Sequence, residues 1–166
     1  PLEALKLLIS LWMTLGIGCF DGTRPDYKML FIDVRRAYFH ADAIRDVYIE
    51  LPEEDRTEGM CGKLNKSMYG TRDAAQNWEI EYTKFLTEVG FRTSPSIGCI
   101  FTAAQRDLRL VVHGDDFTAL GSDAQLDWFR AGMERKFELK VRGRLGPGPE
   151  DEKEIKILNR VVTWGK

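Results

Sequence analysis

Cysteine and histidine are scarce in this chain, and neither forms a recognisable cluster. The 166 residues include three cysteines, Cys19, Cys61 and Cys99, and two histidines, His40 and His113. None of them lies at the ligand spacing of a zinc site, and a scattered, odd number of cysteines does not provide a disulfide framework. The sequence therefore argues against a zinc protein and against a disulfide-stabilised secreted domain, and it favours a reducing compartment.

The sequence also lacks a long uninterrupted apolar run. The leucine-rich stretch from Leu2 to Phe20 is broken by Glu3 and Lys6, so it is not continuous enough to span a bilayer. It has neither the charged start nor the small-residue cleavage site of a signal peptide. We therefore expect no membrane association. Because the chain begins at Pro1 and not at methionine, we expect it to be a piece of a longer protein.

An excess of basic charge is missing as well. The chain has 24 Lys and Arg against 26 Asp and Glu, which gives a formal net charge of −2. A dedicated nucleic-acid-binding domain usually carries a clear basic excess. Any contact of this chain with a polyanion is therefore expected to be local or mediated by metal ions.

Apolar residues, in contrast, are plentiful enough for one sizeable core, since they make up 43% of the chain. Their spacing predicts helices over about residues 2–15, 74–89 and 122–137. Short apolar or alternating runs predict strands at residues 28–34, 46–52, 97–102, 108–112, 117–120 and 137–141, with residues 155–164 as a final strand or docking segment. The mixture and the hairpin formed by residues 108–120 predict an α+β fold with a mainly antiparallel sheet and packed helices.

Two adjacent carboxylates, Asp115 and Asp116, lie between apolar runs in the stretch RLVVHGDDFTALG. Glycine and aspartate are common turn residues, so this tip alone is best explained as a hairpin turn. A third carboxylate, Asp33, follows the apolar run MLFI, where an unpaired charge is costly to bury. A divalent cation relieves the repulsion between clustered carboxylates, and Mg²⁺ prefers oxygen ligands. The three carboxylates together are therefore suited to metal-assisted phosphoryl transfer.

Four stretches follow one another in an informative order. They are FIDVRRAYFHA (Phe31–Ala41), DVYIELPEE (Asp46–Glu54), CGKLNKSMYGTRDAAQNWEIEYTKFLTEVGF (Cys61–Phe91) and LRLVVHGDDFTALGSDAQLDWFRAGMERKFELK (Leu108–Lys140). Together they resemble the reverse transcriptases of copia-type long-terminal-repeat retrotransposons, over most of residues 1–140. The resemblance implies a polymerase palm with partial fingers in residues 1–142, followed by a linker and C-terminal segment in residues 143–166.

The resemblance also implies an activity, that of an RNA-directed DNA polymerase within a retrotransposon Pol polyprotein. Its partners would be an RNA template, a DNA primer, deoxynucleoside triphosphates and the rest of the polyprotein, in cytoplasmic particles. The family's catalytic triad falls on Asp33, Asp115 and Asp116. By this resemblance Asp33 and Asp115 would bind two Mg²⁺ ions, which Mn²⁺ can replace, with help from Asp116 and the main-chain carbonyl of Val34.

Further positions receive nucleotide- or nucleic-acid-binding roles from the same resemblance. Tyr38 falls at the aromatic position that packs under the sugar of the incoming nucleotide, where a ring excludes a ribose 2′-hydroxyl; plain core packing is the alternative. Arg35 and Arg36 would neutralise triphosphate or template charge, unless they belong to a solvated face. Nucleic-acid contacts are predicted for Lys63, Lys66, Tyr69, Arg72 and His113. For the basic members of that set, scattered surface charge is the alternative.

The chain departs from the family pattern at two places that bear on activity. His113 and Gly114 precede the aspartate pair, where the family usually has tyrosine and a small apolar residue. Asp73 replaces a glutamine of the nucleotide-binding face and adds negative charge where a triphosphate would bind. These departures leave open a degenerate, inactive palm that retains nucleic-acid binding. A palm-like nucleotide cyclase is a third interpretation, but Tyr38 and the Tyr69–Gly70 segment argue against it.

Overall fold

The computed structural model describes residues 2–14, 17 and 27–165. Cys19 lies outside the described residues, as does the stretch DGTRP at residues 21–25, whose composition predicts a turn. The helices are α1 (Leu2–Trp12), α2 (Ala74–Glu88) and α3 (Asp123–Lys136). The strands are β1 (Lys28–Val34), β2 (Tyr48–Ile49), β3 (Gly62–Lys63), β4 (Arg92–Thr93), β5 (Ile100–Ala103), β6 (Leu108–His113), β7 (Asp116–Gly121), β8 (Leu139–Leu145), β9 (Glu154–Ile157) and β10 (Arg160–Thr163). Within the described residues, every helix is too short or too polar to cross a membrane.

The chain divides into two compact units. Residues 1–35 and 86–166 form the first, here called the sheet unit, and residues 36–85 form the second, here called the insert unit. The sheet unit contains a six-stranded sheet in the order β4-β5-β6-β7-β1-β8, in which all neighbours are antiparallel. The insert unit contains the β2–β3 ribbon and most of α2. The predicted α+β class with a mainly antiparallel sheet is therefore confirmed.

Strand β1 lies inside the sheet, between β7 and β8, and is covered on both faces. The side chains of residues 29–32 are all at most 2% exposed. Because consecutive side chains of a strand point to opposite faces, burial of every residue means that both faces are packed. This explains the continuous apolar run KMLFIDV, from which the sequence predicted a strand with the bounds that the structure has.

Helix α1 and the C-terminal β9–β10 hairpin belong to one hydrophobic cluster with the sheet. Trp12 is 3% exposed, and its Nε1 donates a 2.8 Å hydrogen bond to the Tyr27 carbonyl. Its ring centroid lies 4.8 Å from that of Trp164, just beyond β10. Ile155 and Ile157 of β9 are buried in the same cluster. The segment predicted as a final strand or docking segment is thus a two-stranded hairpin that completes the core of the sheet unit.

Strand β8 is longer than the predicted strand at residues 137–141. The sequence GRLGPGP predicts a break from residue 143, because glycine and proline are typical of turns. In the structure β8 continues to Leu145 by means of a β-bulge against β1. Phe31 pairs with Gly143 and Ile32 pairs with Val141, which leaves Arg142 as the extra residue of the bulge. Gly143, with a φ of 151°, supplies the backbone freedom for this irregularity.

We expect Trp12→Ala to lower the free energy of unfolding by about 3–5 kcal/mol, because it removes a buried indole and leaves a cavity. Urea unfolding followed by circular dichroism measures the change. Leu7→Ala on the same helix is the control, since Leu7 is 49% exposed and should change stability by no more than about 0.5 kcal/mol. A Trp12→Ala variant as stable as the parent would contradict the packing of α1 described above.

Candidate active site

The Gly-Asp-Asp tip is a two-residue hairpin turn. Strand β6 ends at His113, β7 begins at Asp116, and these two residues are directly opposite each other. Gly114 has a φ of 62°, a positive value that the first turn position of type I′ and II′ hairpins requires. The strands predicted at residues 108–112 and 117–120 leave a tip of four residues, which is too long by two because His113 and Asp116 still belong to the ladder. As a result Asp116 is held by a strand, whereas Asp115 is exposed in the turn.

Asp33 and Asp116 lie opposite each other on the adjacent strands β1 and β7. Directly opposed residues of an antiparallel pair have Cβ atoms about 4.5–5.5 Å apart. The Val34 amide donates a 2.9 Å hydrogen bond to the Asp115 carbonyl beside them. The side chains of Asp33 and Asp116 are 22% and 14% exposed. The structure thus brings together one carboxylate from each of the two motifs that the sequence analysis predicted to be catalytic.

A third side chain, Arg142, joins these carboxylates and was missed by the sequence analysis. Its Nη2 atom lies 2.5 Å from Asp33 Oδ2 and 2.9 Å from Asp116 Oδ1. Arg142 is the extra residue of the β8 bulge, and bulges commonly redirect a side chain. The only hint in the sequence is that Arg142 is a basic residue within a strand-like run, LKVRGRL. Nothing in that run indicates which acidic residue it would contact.

The electrostatics of the site disfavour the ionised form of Asp116. Burial raises the pKa of Asp116, Arg142 opposes that effect, and the charges of Asp115 and Asp33 raise the pKa further. The hydrogen bond to Asp33 raises the pKa of Arg142, so its guanidinium stays charged. Asp116 Oδ1 is buried and accepts no hydrogen bond within the described residues, although Arg142 is at ion-pair distance. The site therefore holds one fixed cation and one carboxylate oxygen with unused acceptor capacity.

The carboxylate oxygens of this site are the type of ligand that a hard divalent cation prefers. Mg²⁺ is commonly bound by one or two protein carboxylates, with water and substrate phosphates as the other ligands. Asp33 and Asp116 supply such oxygens, and Asp116 Oδ1 lacks a hydrogen-bond donor among the described residues. In the described part of the chain no three His, Cys, Asp or Glu residues are gathered closely enough to hold a metal ion. Metal binding by Asp33, Val34, Asp115 and Asp116 therefore stays a prediction.

Two other predicted residues of the sheet unit lie near the ends of its strands. The Arg35 amide donates a 2.8 Å hydrogen bond to the Glu138 carbonyl, and its Nη1 lies 3.4 Å from Glu138 Oε1. His113 is exposed at the end of β6, and its charge lowers the pKa of Asp116 opposite. Arg35 thus already has a carboxylate partner, whereas His113 acts electrostatically on the paired aspartates. Their roles toward triphosphate and primer stay predictions.

The insert unit contains an exposed aromatic cluster. The ring centroids of Tyr38 and Tyr69 are 4.4 Å apart, and Phe39 meets Tyr69 edge-on at 5.7 Å. Tyr69 is 47% and Phe39 43% exposed. Arg36, just before the 3₁₀ turn that carries Tyr38, is exposed and has a left-handed φ of 53°. Tyr38 therefore packs against the solvent-exposed ring of Tyr69. This packing is compatible with a contact to the nucleotide sugar and with a purely structural role.

Two of the basic residues predicted to contact nucleic acid lie beside acids of the insert unit. Lys63 Nζ lies 2.6 Å from Asp46 Oδ1, and Lys66 Nζ lies 2.5 Å from Asp42 Oδ1. All four side chains are more than half exposed. Arg72 is exposed as well. The predicted nucleic-acid-binding surface therefore carries less net positive charge than its lysines alone would give.

Asp73, directly before α2, is held by an arginine that the sequence analysis did not identify. Arg45 Nε donates a 3.1 Å hydrogen bond to Asp73 Oδ2, and Arg45 Nη2 lies 3.1 Å from Asp73 Oδ1. The hydrogen bond from Arg45 lowers the pKa of Asp73. The Asp73 carboxylate is thus ionised, and the Arg45 guanidinium compensates its negative charge. No local pattern reveals this pair, because its members are 28 residues apart.

Comparison with known proteins finds a family and several long relatives. A family model described as "Reverse transcriptase (RNA-dependent DNA polymerase)" matches residues 22–146. The retrovirus-related Pol polyprotein from transposon TNT 1-94 of Nicotiana tabacum is 26% identical over 125 residues, which are 71% of this chain and 9% of that protein. The corresponding polyprotein from transposon RE1 of Arabidopsis thaliana is 32% identical over 102 residues, 57% of this chain and 7% of that protein. The transposon Ty1-DR1 Gag-Pol polyprotein of Saccharomyces cerevisiae is 23% identical over 141 residues, 84% of this chain and 8% of that protein. The chain thus spans less than a tenth of these relatives.

We expect Gly114→Ala to lower the free energy of unfolding by about 1–2 kcal/mol, because a Cβ atom makes a left-handed backbone costly. No atom within 4 Å would meet that Cβ, so the effect isolates backbone strain. Gly98→Ala is the matched control, since its site is equally open and its φ lies outside the left-handed range. Equal stability of the two variants in urea unfolding would contradict the turn conformation.

Proposed function

The chain belongs to the reverse transcriptase (RNA-dependent DNA polymerase) family, and on that premise we propose that it carries the palm of an RNA-directed DNA polymerase. The copia-type resemblance drawn from its four motifs is confirmed by the family match and the Pol polyprotein relatives. The observation that carries the proposal is the opposition of Asp33 and Asp116 on β1 and β7, with Asp115 in the adjoining turn.

In the proposed reaction the 3′-hydroxyl of a primer attacks the α-phosphate of a deoxynucleoside triphosphate, and pyrophosphate leaves. Asp33, Asp115 and Asp116 would hold two Mg²⁺ ions, which supply Lewis-acid activation of the attacking hydroxyl and stabilise the leaving group's charge. The chain's own contribution is positioning. The ladder between β1 and β7 fixes Asp33 opposite Asp116, and the short turn restricts where Asp115 can lie.

The insert unit would supply the contacts to nucleotide and nucleic acid. Tyr38 would pack under the deoxyribose, and the exposed Tyr69 ring offers a face on which a base can stack. Lys63, Lys66 and Arg72 would contact phosphates. For this Lys63 would leave its ion pair with Asp46, and Lys66 its ion pair with Asp42. Exposed ion pairs of this kind are worth about 0–1 kcal/mol, so the exchange costs little. An RNA template, a DNA primer, the rest of a Pol polyprotein and a cytoplasmic setting belong to this proposal.

A second candidate function is a folded, inactive palm that retains nucleic-acid binding. The observation that favours it is Arg142, whose guanidinium already bridges the two carboxylates that a metal ion would need. This candidate predicts RNA binding that survives neutralisation of the aspartates and no template-dependent synthesis under any metal condition. The two candidates therefore differ in primer extension and agree in binding.

We expect the chain to extend a DNA primer on an RNA template with Mg²⁺ and deoxynucleoside triphosphates, and Asp115→Asn to reduce the rate about 100-fold or more. The reduction follows because loss of one preorganised charge-stabilising group typically costs about 10²–10³ in rate. Gel-resolved extension at matched protein concentration measures it.

Asp127→Asn is the control for this experiment, because Asp127 is an exposed carboxylate of α3 whose partner is Arg144. It should leave extension within about twofold of the parent. If the folded parent and both variants are silent with Mg²⁺ and with Mn²⁺ while each still binds RNA, the inactive palm is the correct function.

We expect Asp73→Gln to lower the KM for deoxynucleoside triphosphate about two- to fivefold, because it removes one negative charge near the proposed triphosphate position. Arg45→Gln should raise that KM by a similar factor, since it leaves the Asp73 carboxylate uncompensated. Steady-state primer extension at varied nucleotide concentration measures both. A shift of the two variants in the same direction would contradict an electrostatic effect of Asp73.

A further inference from the structure

We infer that Arg142 is an internal cation that holds Asp33 and Asp116 together, and that a divalent ion must displace its guanidinium to occupy this carboxylate pair. The inference rests on the proposed function to the extent that metal ions are taken to bind these aspartates. No motif of the chain indicated Arg142 as part of this site. In this inference Arg142 competes with the metal ion for the two carboxylates.

The geometry puts the two cations in competition for one side of the carboxylate pair. A single atom, Nη2, lies 2.5 Å from Asp33 Oδ2 and 2.9 Å from Asp116 Oδ1. Mg²⁺ binds oxygen at about 2.0–2.1 Å, so an ion shared by these two oxygens on the side where Nη2 lies would overlap the guanidinium nitrogen. Arg142 therefore occupies a bridging position that an ion on this side can take only after the guanidinium has left.

The negative charges of Asp33 and Asp116 explain why Arg142 lies between them when no ion is bound. Asp33 and Asp116 are partly buried and directly opposed, and two carboxylates so close repel each other. One guanidinium compensates half of their charge through short, charge-assisted contacts. A divalent ion would compensate all of it, at the cost of breaking those contacts. The parent chain should therefore bind the ion more weakly than a chain without the arginine.

The surroundings give the displaced side chain a place to go. Arg142 is 31% exposed, and with Asp116 it lines an open depression of about 490 Å³. Lys140, Lys156 and Asn159 complete the polar part of its wall. The guanidinium can therefore swing toward solvent without repacking the core.

A neighbouring arginine provides a control for the role of Arg142. Arg144, two residues along β8, also bridges two carboxylates, with contacts of 2.5 Å to Asp123 and to Asp127. Those acids lie on α3, away from the paired aspartates. Arg144 is therefore a matched control for loss of a bidentate arginine that has no contact with Asp33 or Asp116.

The test compares the parent chain with Arg142→Met, Arg142→Gln and Arg144→Met. Mn²⁺ binding is measured by the loss of the free-ion signal in electron paramagnetic resonance, and Mg²⁺ binding by the shift of the thermal midpoint. We expect both Arg142 variants to bind Mn²⁺ about tenfold or more tightly than the parent. We also expect a lower midpoint without metal and a larger Mg²⁺-dependent rise. Arg144→Met should lower the midpoint without changing either metal response.

The double variant Arg142→Met with Asp33→Asn locates the effect, because it should lose the gain in Mn²⁺ affinity. Affinities of the Arg142 variants within twofold of the parent would overturn the inference, as would an equal gain in Arg144→Met. If both Arg142 variants fold only when Mg²⁺ is present, the inference is supported. If neither folds at any Mg²⁺ concentration, Arg142 is a structural residue and the inference is wrong.

These outcomes are separable from failure of the proposed polymerase activity. If metal affinity rises in the Arg142 variants but no variant extends a primer, the inference about Arg142 is supported and the proposed polymerase activity is wrong. Primer extension by the parent with no change in metal affinity would keep the polymerase and reject the competition. Primer extension that appears only in the Arg142 variants would mean that the arginine is what silences this chain.

Discussion

The pairing of β1 with β7 on one side and β8 on the other is the constraint on which the rest of the site depends. The β7 register places Asp33 opposite Asp116, and the β8 register, interrupted by its bulge, brings Arg142 to both. A shift of either register by one residue would send the corresponding side chain to the opposite face. Burial of β1 on both faces makes such a shift costly, so the apolar core fixes the geometry of a polar site.

A carboxylate pair inside a sheet is expensive for the fold, and its cost explains the composition of its surroundings. Breaking a buried ion pair by removing one partner leaves an uncompensated charge, which is far worse than never having had the pair. Arg142 supplies a compensating positive charge beside both carboxylates. Apolar residues at the same positions would stabilise the sheet better, so the carboxylates are explained by the metal-binding role proposed for them and not by stability.

The sequence was sufficient for those features that depend on local patterns. A continuous apolar run predicted β1, a glycine between two apolar runs predicted the β6–β7 hairpin, and helical spacing predicted α2 nearly to its ends. The partners of the predicted acids could not be found this way. Arg142 reaches Asp33 through a bulge that exists only once β8 pairs with β1, and Arg45 meets Asp73 across 28 residues. Such contacts depend on tertiary register, which a pattern of residue types does not contain.

The same principle connects the acidic overall charge with the chemistry proposed for the chain. Three cations are held by carboxylates of the chain itself: Lys63 and Lys66 by exposed acids, Arg142 by partly buried ones. An exposed pair exchanges its partner at little cost, because water already screens it. A partly buried pair exchanges less readily, because each charge loses a short contact in a less polar setting. Under the proposed function, exchange of cations at Asp33 and Asp116 would therefore limit metal loading more than attraction of a polyanion to the lysines.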